Sequence, residues 1–86
     1  MERYTINTEK IMYSPLENKG VLFDVENNEY YSLNETMYKV FLGLLDRKSV
    51  NEIVDMFLAE YDISEEVCKS EIQKAIDIFN EKKILV

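Results

Sequence analysis

Apart from its carboxylates, this sequence has few side chains of the kinds that usually serve as nucleophile, base or metal ligand. Its 86 residues hold one Cys and no His, beside seventeen Asp and Glu. Without imidazole the usual activated hydroxyl or thiol has no base, and the common zinc ligand sets cannot be filled. The acids are spread along the chain instead of converging, which is the pattern of a solvated exterior. Cys68 recurs with apolar neighbours at helical spacing, where a thiol behaves as a small hydrophobe. Catalysis, a bound metal and a cofactor are therefore not expected. What remains is main-chain chemistry: a strand edge carries a row of N–H and C=O groups that bind a further strand when nothing covers them.

The stretch that offers such an edge is Val21-Leu22-Phe23-Asp24-Val25-Glu26-Asn27-Asn28-Glu29-Tyr30-Tyr31-Ser32-Leu33. Two runs rich in β-branched and aromatic residues enclose a polar turn, the signal for a hairpin. Pairing about Asn27-Asn28 places Leu22, Asp24, Tyr31 and Leu33 on one face, because side chains alternate along a strand. Val21, Phe23, Val25, Tyr30 and Ser32 fall on the other. Of Tyr30 and Tyr31, one must face the helices and the other must not. Both faces carry apolar residues, so one helix layer alone does not satisfy the hairpin. The expectation is that Glu29, Tyr30, Tyr31 and Ser32 form an edge strand whose open side, beside a two-residue turn, receives a peptide.

A second wall for that peptide comes from the last helical pattern. Cys68, Ile72, Ala75, Ile76 and Phe79 form the core stripe of a helix capped by Ser64, with Glu65 and Glu66 in the first turn, where the helix dipole favours acids. At about 100° per residue, Val67, Glu71, Lys74 and Ile78 lie within about 60° of arc, roughly a quarter turn from that stripe. Val67 and Ile78 are apolar beyond what one core face requires. These four residues are expected to line a groove beside the hairpin's last strand. Backbone bonds to an added strand would give affinity, and pockets for alternate side chains selectivity.

The remaining elements must hold strand and helix side by side. Residues 1–9 read as an irregular or short extended arm. Lys10-Ile11-Met12-Tyr13-Ser14 reads as a first strand that Pro15, lacking an N–H, should stop. Glu17-Asn18-Lys19-Gly20 is a loop in which Gly20 can take positive φ. After Leu33 the apolar period changes from two to about 3.6. Asn34 caps a first helix, with Leu33 stapled onto Tyr38. Met37, Val40, Phe41, Leu44 and Leu45 form its stripe, widened by Tyr38 and Leu42. Gly43 falls on its exposed side, at a cost of about 1 kcal/mol relative to Ala. Ser49-Val50-Asn51-Glu52 is a capping box that opens a second helix over residues 50–60, with Val50, Ile53, Val54, Phe57 and Tyr61 inward. Lys82 and Lys83 close the third helix, and Ile84-Leu85-Val86 is an apolar tail. The order predicts a winged helix-turn-helix-like α+β fold: a three-stranded N-terminal antiparallel sheet followed by three helices, in a single domain over residues 1–86.

Composition narrows the partners. With 47% hydrophobic residues a real core is expected. No run approaches the roughly 20 apolar residues that a membrane helix needs. Met1-Glu2-Arg3-Tyr4 lacks the apolar core of a signal peptide, and one Cys suits a reducing compartment, so a cytoplasmic location is expected. The net charge of −7, with no basic run longer than Lys82-Lys83, disfavours nucleic acid and anionic membrane. The alternative function is a winged-helix DNA-binding transcription regulator, with Lys69, Gln73 and Lys74 of the third helix at the bases. Residues 64–86 hold four Lys against five acids, which is poor for that task. A third possibility is a structural subunit that self-associates through the sheet edge.

The segment Val21-Leu22-Phe23-Asp24, followed by Glu29-Tyr30-Tyr31-Ser32-Leu33-Asn34-Glu35-Thr36, resembles the signature of PqqD-like proteins, the RiPP recognition elements. These are small winged-helix domains that bind the leader of a ribosomally made precursor peptide. Ser49-Val50-Asn51-Glu52-Ile53-Val54, Glu60-Tyr61-Asp62-Ile63 and the closing Lys83-Ile84-Leu85-Val86 are also similar to that family, so the likeness covers residues 20–86. It implies a non-catalytic peptide chaperone in which the leader pairs with residues 29–32 and rests against residues 67–78. It also implies a tailoring enzyme as second partner, such as a radical SAM protein or a leader peptidase. The chain has no Trp, unlike the members of the cofactor pathway itself, so the resemblance points to a freestanding protein for another peptide product.

Overall fold

The computed structural model describes residues 3–86. Its elements run β1 (Ile11–Leu16), β2 (Lys19–Asp24), β3 (Glu29–Leu33), α1 (Glu35–Leu45), α2 (Val50–Glu60) and α3 (Glu65–Glu81). The strands form one antiparallel sheet in the order β1-β2-β3, and the helices pack on one of its faces. This is the α+β arrangement expected from the sequence.

The β2–β3 hairpin pairs Leu22 with Tyr31, Phe23 with Tyr30 and Asp24 with Glu29. The loop is therefore residues 25–28, four residues long and centred one residue earlier than the expected two-residue turn. Such a slip moves the register by two, which preserves the faces, since side chains alternate with a period of two. Asn28 takes the left-handed conformation, φ 57°, which Asn tolerates better than most residues. Leu22, Asp24 and Leu33 are buried against the helices and Tyr31 is half-buried there, whereas Tyr30 and Ser32 are exposed. Among the described residues no second layer covers the outer face: Met12 is 62% exposed and Tyr30 73%, and the Phe23 and Tyr30 rings rest on one another at 4.6 Å.

Three local expectations are corrected. Pro15 does not end β1 but lies within the ladder opposite Gly20. It is tolerated because β1 is an edge strand, where an N–H that points to solvent is not missed. Gly20 has no positive φ; Glu17 takes that conformation instead, at φ 56°. Gly20 is needed for space, since a Cβ there would stand 2.1 Å from Tyr38 Cδ1. Gly43 is buried, not exposed, and its added Cβ would stand 2.9 Å from Ile53 Cγ1. At that point the Ile53 side chain of α2 packs directly on the bare backbone of α1.

The helices begin where their caps dictate. The Asn34 side chain accepts from the Met37 N–H at 2.9 Å. Ser49 and Glu52 exchange both bonds of a capping box, and Ser64 accepts from the Val67 N–H. Tyr38, Val40, Phe41 and Leu44 of α1 are buried, as are Ile53, Val54 and Phe57 of α2 and the whole expected stripe of α3. Leu42, by contrast, is 37% exposed, because α1 turns that side away from the sheet. The arm and the tail meet: Ile6 bridges Leu85, and the Val86 N–H donates to the Thr5 carbonyl at 2.8 Å. This pairing is an isolated bridge outside the β1-β2-β3 sheet, and among the described residues no strand pairs with the far side of β3. No helix of the described residues is long and apolar enough to cross a membrane.

Candidate functional site

Which main-chain groups of β3 are free follows from one bond and the alternation of an antiparallel ladder. The Val25 N–H donates to the Lys10 carbonyl at 2.9 Å, which makes Lys10 and Val25 a hydrogen-bonded pair. Two residues along, Met12 with Phe23 and Ser14 with Val21 are bonded in turn. The intervening residues of β2, Gly20, Leu22 and Asp24, then direct their N–H and C=O groups to Leu33, Tyr31 and Glu29 of β3. The main-chain groups of Tyr30 and Ser32 therefore point outward from the sheet, two donors and two acceptors with no strand of the described residues beside them.

The same phase explains why the opposite edge is less available. On β1 the outward N–H positions are Ile11, Tyr13 and Pro15. The Ile11 N–H is taken by the Asn7 carbonyl at 2.9 Å, and Pro15 has no N–H to give. Tyr13 alone is left, and a single donor makes a poor ladder.

Beside the open edge of β3 runs a groove whose other wall is α3. One stretch, of about 300 Å³, is lined by residues of β3 including Tyr31 and Leu33, and by Ile78, Phe79 and Lys82 of α3. A second stretch, of about 170 Å³, continues past Asn34 and is lined by Thr36, Met37, Phe57, Glu71, Lys74 and Ile78. Met37 and Ile78 border both, so the two are one channel. Tyr31 and Leu33 reach it because they face the helices, and Tyr30 borders it at the sheet margin. Lys82 is near Tyr31 while Glu71 lies beyond Asn34, so β3 and α3 run in opposite directions along it.

Of the residues singled out from sequence, Tyr30, Tyr31 and Ser32 line the first stretch, Glu71 and Lys74 the second, and Ile78 both. Glu29 is exposed at the start of β3 and lines neither. Val67, 51% exposed at the beginning of α3, also lines neither. Sequence reasoning did not find Met37, Thr36, Phe57 or Lys82. Helical periodicity assigns Met37 wholly to the core stripe of α1, yet the side chain is only half-buried. A stripe one residue wider than its core was the signal that could have placed it in the channel.

Charge in the channel is sparse. Lys74 and Glu71 stand 3.6 Å apart and answer one another. Lys82 Nζ lies 5.7 Å from the centroid of the Tyr31 ring. On the other surface of α3, Lys69 pairs with Glu65 at 2.9 Å and Gln73 donates to Asp77 at 2.9 Å. Each side chain that a DNA-reading helix would send to the bases is thus engaged by an acid of its own helix, which argues against the DNA-binding alternative.

These elements define a small α+β domain with an open strand edge beside an apolar channel. The chain belongs to the family of coenzyme PQQ synthesis protein D (PqqD), whose model matches residues 19–85. Its fold is that of two solved structures. One is TbiB1 in complex with the TbiA(beta) leader peptide, at a TM-score of 0.88 and 20% identity, with 94% of this chain and 93% of that one covered. The other is lasso peptide synthetase B1 complexed with the leader peptide, also at 0.88 and 20% identity, with 99% of each chain covered. No curated protein matches the sequence.

Proposed function

We propose that this protein is a non-catalytic peptide chaperone. It binds the leader of a ribosomally synthesised precursor peptide as a fourth strand on β3 and presents it to a modifying enzyme. The single observation that carries this reading is the outward main chain of Tyr30 and Ser32 beside the apolar channel floored by Met37 and Ile78. Membership in the PqqD family and the fold shared with two leader-peptide complexes support it. The whole chain acts as one recognition domain, with Tyr30, Tyr31, Ser32, Glu71, Lys74 and Ile78 at the peptide and the cytoplasm as its compartment. A radical SAM protein or a leader peptidase is the second partner, and holding leader and enzyme together raises the local substrate concentration. The product is a peptide other than the cofactor of the family's name.

Calorimetric titration with the leader of a precursor peptide encoded beside this gene tests the reading. A complex tighter than about 100 μM is expected. Weaker binding, or binding that survives Tyr30→Pro unchanged, overturns it.

A further inference from the structure

We propose that the channel selects peptides with an apolar side chain followed, two or four residues later, by an acidic one. The apolar residue fills the pocket between Met37 and Ile78, and the acid meets Lys82. This rests on the reading that a peptide adds to β3, and it specifies the chemistry of that peptide.

The argument begins with the balance of charge along the channel. Two cations border it, and Lys74 is already answered by Glu71 at 3.6 Å. Lys82 is exposed and, among the described residues, has no carboxylate within ion-pairing distance; its Nζ stands 5.7 Å from the Tyr31 ring centroid. In a chain of net charge −7 with seventeen acids, a cation left unanswered at the mouth of an apolar channel is a local inversion of the surface. A carboxylate arriving on the added strand opposite Tyr31 meets that ammonium at the rim, where both charges stay solvated and the desolvation cost stays small.

The apolar requirement comes from the other end. Met37, Val40, Phe57, Ala75 and Ile78 line the stretch beyond Asn34, where Glu71 and Lys74 neutralise each other at the lip. Side chains on the helix-facing side of an added strand recur every second residue, about 7 Å apart. The pocket lies past Leu33 and Lys82 lies by Tyr31, which sets a spacing of two or four residues. A strand that continues the antiparallel pattern of this sheet runs against β3, from the Asn34 end toward Tyr31. The apolar residue therefore precedes the acid.

Selection of a displayed random dodecapeptide library against the whole chain tests this, with Tyr30→Pro as the edge-blocked control. Wild type is expected to enrich Asp or Glu two or four positions after a large apolar residue. A synthetic peptide of that consensus should lose about fivefold in affinity with Lys82→Gln and more with Lys82→Glu. Replacing its acid by Lys should restore binding to the Lys82→Glu variant, which also shows that this variant is folded. Peptides that bind wild type and are blocked by Tyr30→Pro, but show no acid preference or no response to either Lys82 variant, overturn this inference alone. Failure to enrich any peptide, or enrichment indifferent to Tyr30→Pro, overturns the strand-addition reading and this inference with it.

Discussion

Lys10 Nζ and Asp24 Oδ2 lie 3.3 Å apart with side chains only 5% and 0% exposed, an ion pair enclosed at the root of the hairpin loop. The Asp24 carboxylate also accepts from the N–H groups of Glu26 and Asn27, each at 3.0 Å, and from Asn27 Nδ2 at 2.9 Å. Lys10 Nζ reaches the Lys83 carbonyl at 3.3 Å. One pair of charges thus ties the residue before β1, the loop before β3 and the turn after α3. Burial works to raise the Asp24 pKa, but the bonds from Asn27, Lys10 and Glu26 outweigh it and hold the carboxyl below its ordinary value of 3.8.

Asp24→Asn is therefore expected to flatten the acid limb of the stability curve. A carboxyl with a depressed folded pKa stabilises the fold above its unfolded pKa and loses that contribution as pH falls through the folded one. For Asp24 the window opens below about pH 4. Glu52, held low by the Ser49 N–H and hydroxyl, keeps its own share, so the slope shrinks without vanishing. At neutral pH the variant leaves Lys10 buried without its counter-charge and should melt lower by on the order of 10 °C. Thermal melts between about pH 6 and about pH 2 check both points; an unchanged slope would show that the pair carries no linkage.

Proline substitutions at adjacent positions of β3 should have opposite consequences. Tyr30 directs its N–H away from the sheet, so Tyr30→Pro removes a donor that none of the described residues uses. The melting point should stay within a few degrees, while leader affinity falls at least about tenfold through one lost bond and a disturbed edge. Tyr31 donates to Leu22 inside the ladder, and Tyr31→Pro should cost about 3 kcal/mol of stability or more. Melts and titrations of the two variants decide the matter; equal destabilisation would mean that the ladder phase is wrong.

Both glycines are predicted to resist alanine, against simple propensity. Ala at position 43 should gain about 1 kcal/mol in an exposed helix, yet Ile53 is wholly buried and has no room to retreat from the new methyl. A cost of about 1 to 2 kcal/mol is expected instead. Gly20→Ala drives a Cβ into the Tyr38 ring and should cost about 3 kcal/mol. Denaturant midpoints of the singles, and of doubles with Ile53→Ala and Tyr38→Ala, check this. Coupling of at least about 0.5 kcal/mol in each cycle marks the contact.

These glycines also show where the sequence was legible and where it was not. Asn34, Ser49 with Glu52, and Ser64 act on N–H groups three residues away, so helix starts are written locally and were readable. The α3 stripe and the two hairpin faces follow from periodicity alone, even with the turn misplaced by one residue. Gly20, Gly43 and Pro15 are decided by what stands across from them: a tyrosine ring, a second helix, or nothing. No window of sequence contains that neighbour. The channel is divided in the same way. Helical spacing joined Glu71, Lys74 and Ile78, but the places of Met37 and Lys82 depend on how α3 crosses β3, and Val67 lies one turn too early to reach it.

That last difference yields a test of the channel itself. Ile78 is 41% exposed and borders both stretches, whereas Val67, on the same side of the same helix, is 51% exposed and borders neither. Truncating either side chain to Ser removes little core and should leave the melting point nearly unchanged. Burying an apolar side chain against a ligand is worth about 25 cal/mol per Å², so the position that touches peptide loses that term and the other does not. Ile78→Ser is expected to weaken leader binding by about tenfold, Met37→Ala by a similar factor, and Val67→Ser not at all. Titrating one leader peptide against the three variants gives the comparison. Equal losses at positions 67 and 78 would extend the site one turn toward the start of α3, and a loss at 67 alone would move it off the channel altogether.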